Sequence, residues 1–206
     1  TCVSQHLRPS SSRHAWLTKT DAVHLGRWES VVRSTPSNGS AALEFSTLVE
    51  NHGKQSSSAK VSWKILDAKG ATVATADAPE QSIPVDGSVP FTASATLPNP
   101  ALWSVDEPNL YSAIVTVESA GKVLDAERVS FGVRTARFDP EKGFFLNDKP
   151  LKIQGTCNHQ DHAGVGAALP DRLQASSIGV LQAMGCNAVR TSHNMPTPEW
   201  VDACDR

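Results

Sequence analysis

The stretch Leu151-Lys152-Ile153-Gln154-Gly155-Thr156-Cys157-Asn158-His159-Gln160-Asp161-His162 decides how the rest of the chain is read. Leu151, Ile153, Gly155 and Cys157 alternate with more polar residues, as in a strand, and the run closes in a polar cluster from Asn158 to His162. Further along, a second short run, Cys186-Asn187-Ala188-Val189, closes in Arg190-Thr191-Ser192-His193-Asn194. The segment between them, Pro170 to Met184, has helical spacing. Strand, helix and strand with polar groups at both strand ends suit a βα barrel, whose chemistry sits at the C-terminal ends of its strands. As parallel neighbours the two strands would lie about 4.8 Å apart, close enough for His159 and His193 to reach one small ligand.

The bland reading of either histidine is a hydrogen-bonded ring in a barrel rim. The surrounding Asn158, Asp161, Arg190 and Asn194 favour a ligand site, because a packed core has little use for so many polar groups. Arg190 is expected to be buried at its strand end and to need a carboxylate partner. Histidine, Asn and Asp together offer the mixed donors and acceptors that a hydroxyl-rich neutral molecule, a sugar, requires. A metal site is the competitor, but neither HExxH nor the i,i+4 histidine spacing is present. No metal and no cofactor are expected.

The elements around these strands carry their own signals. Asp171 with Gln174 reads as a capping box, and Leu173, Ser177, Leu181 and Met184 as the buried stripe of the first helix. Gly185 is placed to end that helix, and Gly179 within it suggests a close helix–strand contact. Thr197 caps a second helix, with Pro198 at its first position, Glu199 at the positive end of its dipole, and Trp200, Val201 and Cys204 as its stripe. Upstream, Phe144-Phe145-Leu146 followed by Asn147-Asp148 reads as a short hairpin.

From Trp28 to about Phe138 the chain reads as all-β. Alternating segments run at 28–34, 42–50, 60–66, 72–76, 88–97, 110–118 and 123–133, separated by turn signals such as Ser37-Asn38-Gly39, Asn51-His52-Gly53 and Ala120-Gly121. Short strands at this spacing predict an immunoglobulin-like sandwich, with Trp63 in its core. No cysteine pair crosses the region, so it is not an antibody-type domain. Trp103 lies in the proline-rich crossover from Asn99 to Tyr111. It reads as a packing anchor in preference to a sugar-stacking surface. Ahead of the sandwich, Val23-His24-Leu25 suggests a short strand without partners, and residues 1–14 are polar and aperiodic.

Composition excludes several classes. The chain has 206 residues, 39% hydrophobic and 19% charged, with a net charge of −2. That balance argues against a nucleic-acid partner. No apolar run reaches the roughly 18 residues of a membrane span. The four cysteines, Cys2, Cys157, Cys186 and Cys204, show no zinc-ligand spacing, and the last three are expected to be buried thiols. Thr1 begins the chain without an initiator Met or a signal-peptide core, so a removed start or a piece of a longer protein is expected.

At the strand ends the sequence resembles glycoside hydrolase family 2. Residues 151–162 resemble the first barrel strand of that family, and Asn187-Ala188-Val189-Arg190-Thr191-Ser192-His193-Asn194, running on to Cys204-Asp205-Arg206, its second-strand signature. Leu102-Trp103-Ser104, Pro108-Asn109-Leu110-Tyr111 and Phe131-Gly132-Val133-Arg134 are similar to the end of its immunoglobulin-like domain. Arg13 to Thr18 resembles the last strand of its jelly roll. Within the family the pattern is most similar to the β-galactosidases, with β-glucuronidases and β-mannosidases as near relatives. It departs at Asn194, where the family has an aromatic, at Met195, where it has Pro, and at Gln160, where some members have Glu.

The resemblance implies multi-domain β plus α/β architecture. Residues 1–27 would be the remnant of a jelly-roll sugar-binding domain, 28–138 the immunoglobulin-like β-sandwich, and 139–206 the first two βα units of a (β/α)8 TIM barrel. It implies retaining hydrolysis of terminal non-reducing β-D-galactosides by two glutamates about 5 Å apart. Both would lie on later strands, leaving no catalytic residue in this chain. His159, His193, Asn158, Asp161 and Asn194 would bind substrate, and Arg190 would support the nucleophile. The implied partner is a carbohydrate, with no nucleic acid and no membrane, and with room for a homo-oligomer in the full-length enzyme. Two other readings stand beside it: a non-catalytic sugar-binding or interaction module on the sandwich, and a metal-dependent hydrolase using His159, His162 and His193.

Overall fold

The computed structural model describes the backbone of Cys2–Gln5 and residues 16–193 and 195–206. The other N-terminal residues, on which part of the jelly-roll resemblance rests, lie outside the described residues. The chain falls into two compact units, one holding Thr18–Thr135 and the other Ala136–Arg206.

The first unit is a β-sandwich. Strand β1 (Cys2–Gln5) pairs with β2 (Leu17–Thr20) as a separate two-stranded ribbon. One sheet is built on β5 (Ser40–Asn51), which is flanked by β3 (Val23–Leu25), β4 (Val31–Ser37) and β9 (Gly87–Pro98). β9 pairs along the whole of β5, while β4 and β3 pair with its first and last residues respectively. The second sheet runs β11–β10–β6–β7, with β8 also on β6. These strands are β6 (Ser57–Leu66), β7 (Thr72–Asp77), β8 (Gln81–Ile83), β10 (Leu110–Ser119) and β11 (Lys122–Gly132). Val23–Leu25 is thus an integral strand of the first sheet and not partnerless, because its backbone completes the edge of β5 that β4 leaves open.

Strict alternation sets the core. On β5, residues 41, 43, 45, 47, 49 and 51 are all buried, and on β10 the odd positions 111 to 117 are buried. Phe45 of one sheet stacks on Trp63 of the other, with ring centroids 5.7 Å apart. Trp63 is 1% exposed, as its period-two neighbours Val61 and Ile65 predict. The crossover ahead of β10 is tied down at several points. The Tyr111 hydroxyl accepts from the Ala101 amide (2.9 Å), and the Trp103 amide donates to the Val133 carbonyl (2.9 Å). Trp103 also packs over Gly132, where a Cβ would come within 2.8 Å of the Trp103 Cβ, and its ring lies 4.4 Å below the Arg134 guanidinium. It is an anchor for the crossover.

The second unit opens with a meander of β12 (Ala136–Asp139), β13 (Gly143–Leu146) and β14 (Lys149–Pro150). Asn147 and Asp148, both at positive φ, make the tight turn between β13 and β14. β15 (Gly155–His159), α1 (Asp171–Ala183), β16 (Ala188–Ser192) and α2 (Pro198–Asp205) follow. β15 and β16 are parallel, with Gly155 opposite Ala188 and His159 opposite Ser192. Strand pairing begins only at Gly155, so Leu151 and Ile153 are approach residues. Asn187 holds that approach: its carboxamide accepts from the Gln154 amide (2.8 Å) and donates to the Lys152 carbonyl (3.0 Å).

Helix α1 differs from its sequence signals in three ways. Pro170, not Asp171, is the N-cap, with no side-chain cap bond, because its φ of −63° already presents its carbonyl to the first turn. The buried stripe is Gln174 and Ile178, one position round from Leu173 and Ser177, and Met184 is 70% exposed. Gly179 faces open space, so no close contact requires it. Helix α2 starts as read, with Thr197 accepting from the Trp200 amide and Pro198 at the first position. Among the described residues no helix is long and apolar enough to cross a membrane.

Candidate functional site

The parallel ladder brings the two signature histidines together. His159 ends β15 and His193 follows β16 directly, and their rings meet edge to face with centroids 5.2 Å apart. Both are exposed. Asn158, half-buried, takes its place with Thr191 and Ser192 in the wall of a pocket beside them. Thr156 donates to the Asn158 side-chain oxygen (2.6 Å), which orients that amide.

The helices close the other wall. Gln174 of α1 and Thr197 and Trp200 of α2 line the same pocket. The Thr197 hydroxyl donates to Gln174 Oε1 (2.5 Å) while accepting from the Trp200 amide, so one side chain caps α2 and clamps it to α1. This explains the burial of Gln174, which the sequence suggested as a capping partner. The sequence marks these three only as cap and stripe residues, and the Thr-Pro-Glu-Trp start of α2 is the signal that points to them.

The opposite side of the strand pair is open. Burial on β15 alternates, with Thr156 and Asn158 half-buried and Gly155, Cys157 and His159 exposed. Cys157 faces Arg190 across the register. Arg190 is exposed, not buried, and donates to Cys157 Sγ (3.0 Å) and Ser192 Oγ (2.8 Å), a thiol and a hydroxyl where a carboxylate was expected. Cys157 is likewise exposed and not a core thiol, since it lies on the side away from the helices. The Ser192 hydroxyl first, and then the Arg190 guanidinium, hold its thiol below the ordinary cysteine range. Cys186 and Cys204 are half-buried, and burial pushes the Cys204 thiol up.

Asp161 is exposed beyond the end of β15 and does not line the pocket. His162 turns back on itself, with its amide donating to the Gly166 carbonyl and its ring against the Ala163 carbonyl. Asn194 lies outside the described residues. Among the described residues, the donor atoms of His159, His162 and His193 do not gather into one metal-sized cluster. No carboxylate lines the pocket among the described residues.

Comparison with known proteins places both units. The family model "Glycosyl hydrolases family 2" matches residues 27–134, and "Glycosyl hydrolases family 2, TIM barrel domain" matches residues 140–206. The chain belongs to glycosyl hydrolase family 2. Its fold is therefore a family 2 sandwich followed by the start of the family's TIM barrel, with β15 and β16 as barrel strands. The beta-galactosidase BoGH2A of Bacteroides ovatus is 35% identical over 195 residues, covering 94% of this chain and 23% of that protein. A beta-glucuronidase of Bacteroides fragilis is 35% identical over 108 residues, 52% of this chain and 16% of that protein. The crystal structure of a family 2 member from Bacteroides cellulosilyticus superposes with a TM-score of 0.85 at 32% identity, covering 95% of this chain and 25% of that one. This family 2 chain thus spans a quarter or less of the length of these relatives.

Proposed function

We propose that this chain supplies the sandwich and the first barrel strands of a retaining exo-β-glycosidase that hydrolyses terminal non-reducing β-D-galactosides. The observation that carries this reading is the meeting of His159 and His193, 5.2 Å apart, at the C-terminal ends of neighbouring parallel strands. In such an enzyme the two imidazoles and the Asn158 amide hydrogen-bond sugar hydroxyls, and Asp161 and Asn194 belong to the same substrate-binding set. Arg190 lies on the side of the strands away from the helices, which is the interior of a closed barrel. There its guanidinium can orient a nucleophile carboxylate. Two glutamates about 5–5.5 Å apart, on strands later than those described, carry out the acid/base and nucleophilic steps. On the same reading residues 1–27 are the remnant of a jelly-roll sugar-binding domain, and 28–138 and 139–206 are the sandwich and barrel domains.

Galactose is put ahead of glucuronate on identity alone: the beta-galactosidase BoGH2A is 35% identical over 94% of the chain, whereas a putative beta-glucuronidase of Formosa agariphila is 30% identical over the same share. A panel of aryl β-galactoside, β-glucuronide and β-mannoside, hydrolysed by the protein expressed from the coding frame continued past Arg206, tests the reading. The expected result is a kcat/KM for the galactoside at least tenfold above the others. A glucuronide preference would overturn the sugar assignment. Saturable sugar binding with no turnover of any substrate would favour a non-catalytic binding module.

A further inference from the structure

We propose that His24, Glu50 and His52, on the outer face of the sandwich, form a binding site for a transition-metal dication of the Zn2+ type. The site follows from strand register. Val23 and Leu25 point into the core, so His24 between them points outward. Glu50 lies directly opposite His24 in the β3–β5 ladder, and His52 follows two residues later on the same face. The residue between Glu50 and His52, Asn51, is 1% exposed. Its carboxamide donates to the Gln55 and Ile83 carbonyls (2.9 and 3.1 Å) and accepts from the Gly53 amide (2.8 Å). The His52 amide donates to the Ala22 carbonyl (2.8 Å). The backbone that presents the three side chains is therefore held on both sides.

The geometry matches a tetrahedral cation. Glu50 Oε2 lies 3.2 Å from His52 Nε2 and 3.6 Å from His24 Nε2, and the three donor atoms all lie within 4.8 Å of one another. Zinc–nitrogen and zinc–oxygen bonds of about 2.0–2.2 Å put tetrahedral ligand atoms roughly 3.3–3.6 Å apart. The two imidazole rings lie 5.3 Å apart at 31°, both turned toward the same carboxylate oxygen. His24 Nδ1 is buried without a hydrogen-bond partner among the described residues, so the polar engagement of this ring runs through Nε2. Two imidazole nitrogens and one carboxylate oxygen suit Zn2+, Ni2+ or Cu2+, whereas Mg2+ and Ca2+ take oxygen shells. The His24, Glu50 and His52 side chains are 12%, 33% and 44% exposed, so the cluster opens to solvent on the His52 side, where water can take the fourth position. This cluster is separate from the strand-end histidines and does not depend on the sugar reading.

The test uses the chain with its thiols alkylated, so that cysteines cannot bind metal, and stripped with a chelator. Zn2+ is titrated by calorimetry and Co2+ by absorbance, on the wild type and on His52→Ala and Glu50→Gln. One equivalent should bind, Co2+ should give the visible bands of a tetrahedral site, and Zn2+ but not Mg2+ should raise the melting temperature. Each variant should bind at least tenfold more weakly while melting as the wild type does in chelator. Absence of Zn2+ binding at millimolar concentration, or equal binding by the wild type and both variants, would overturn the proposal.

Discussion

Glu127 shows how one side chain can work against its own fold. Burial is the main cause that raises its carboxyl above the usual value of 4.5, with Asp125 adding repulsion and a Ser30 hydrogen bond partly offsetting both. A raised carboxyl pKa means the fold favours the neutral acid. Its stability contribution is full below the ordinary carboxylate range and is lost as pH rises through the folded-state value. At neutral pH the charged form is therefore a cost, screened in part because the side chain is half-buried. Glu127→Gln should raise the melting temperature at pH 7, corresponding to a fraction of a kcal/mol, and the gain should vanish by about pH 4. Equal melting temperatures at pH 7 would contradict this. Such environments are illegible in a sequence, which gives alternation but not which face meets protein. The spacing of two strand ends pairs His159 with His193, but alternation puts Cys157 and Arg190 inside, and the structure has them exposed. Asn51-His52-Gly53 has the composition of a turn, which hides the cross-strand grouping of Glu50 and His52 with His24.

At the level of elements, the strands and tight turns were the most readable features. Asn38-Gly39, Ala120-Gly121 and Asn147-Asp148 all take positive φ between paired strands, the geometry that two-residue hairpin loops need. The start of α2 was legible because Thr197 and Pro198 act locally. The start of α1 was not, because Gln174 is claimed by Thr197, 23 residues away. The pairing of β15 with β16 rests on a close approach: a Cβ at Gly155 would collide with the Ala188 carbonyl. Gly155→Ala should destabilise this pairing by about 1–3 kcal/mol, the usual cost of overpacking. Amide exchange at residues 156–159 should accelerate at least tenfold, whereas unchanged exchange would show that the strands separate without cost.

For the molecule as a whole, apolar burial is unevenly divided. The large core, from Val23 to Val133, lies in the sandwich, whereas Ile178 and Trp200 are the buried apolar side chains among the described residues after 135. Ile153, Val180, Met184, Met195 and Val201 are each more than 40% exposed, and β15–β16 is a two-stranded sheet with open edges. Limited proteolysis of this chain should therefore cut beyond residue 140 well before it cuts within 28–135, and equal resistance on both sides would refute that division. The sandwich was legible because its alternation closes on itself, whereas barrel strands declare themselves only through what collects at their ends. That collection is the central claim, and it is tested most directly by hydrolysis of the preferred aryl β-glycoside by the protein continued past Arg206, as wild type and as His193→Ala. Turnover by the wild type with kcat/KM lowered roughly 10- to 100-fold in the variant, the loss of one or two hydrogen bonds to substrate, is the predicted result. A variant within twofold of the wild type, or a coding frame that adds no further barrel strands, would contradict it.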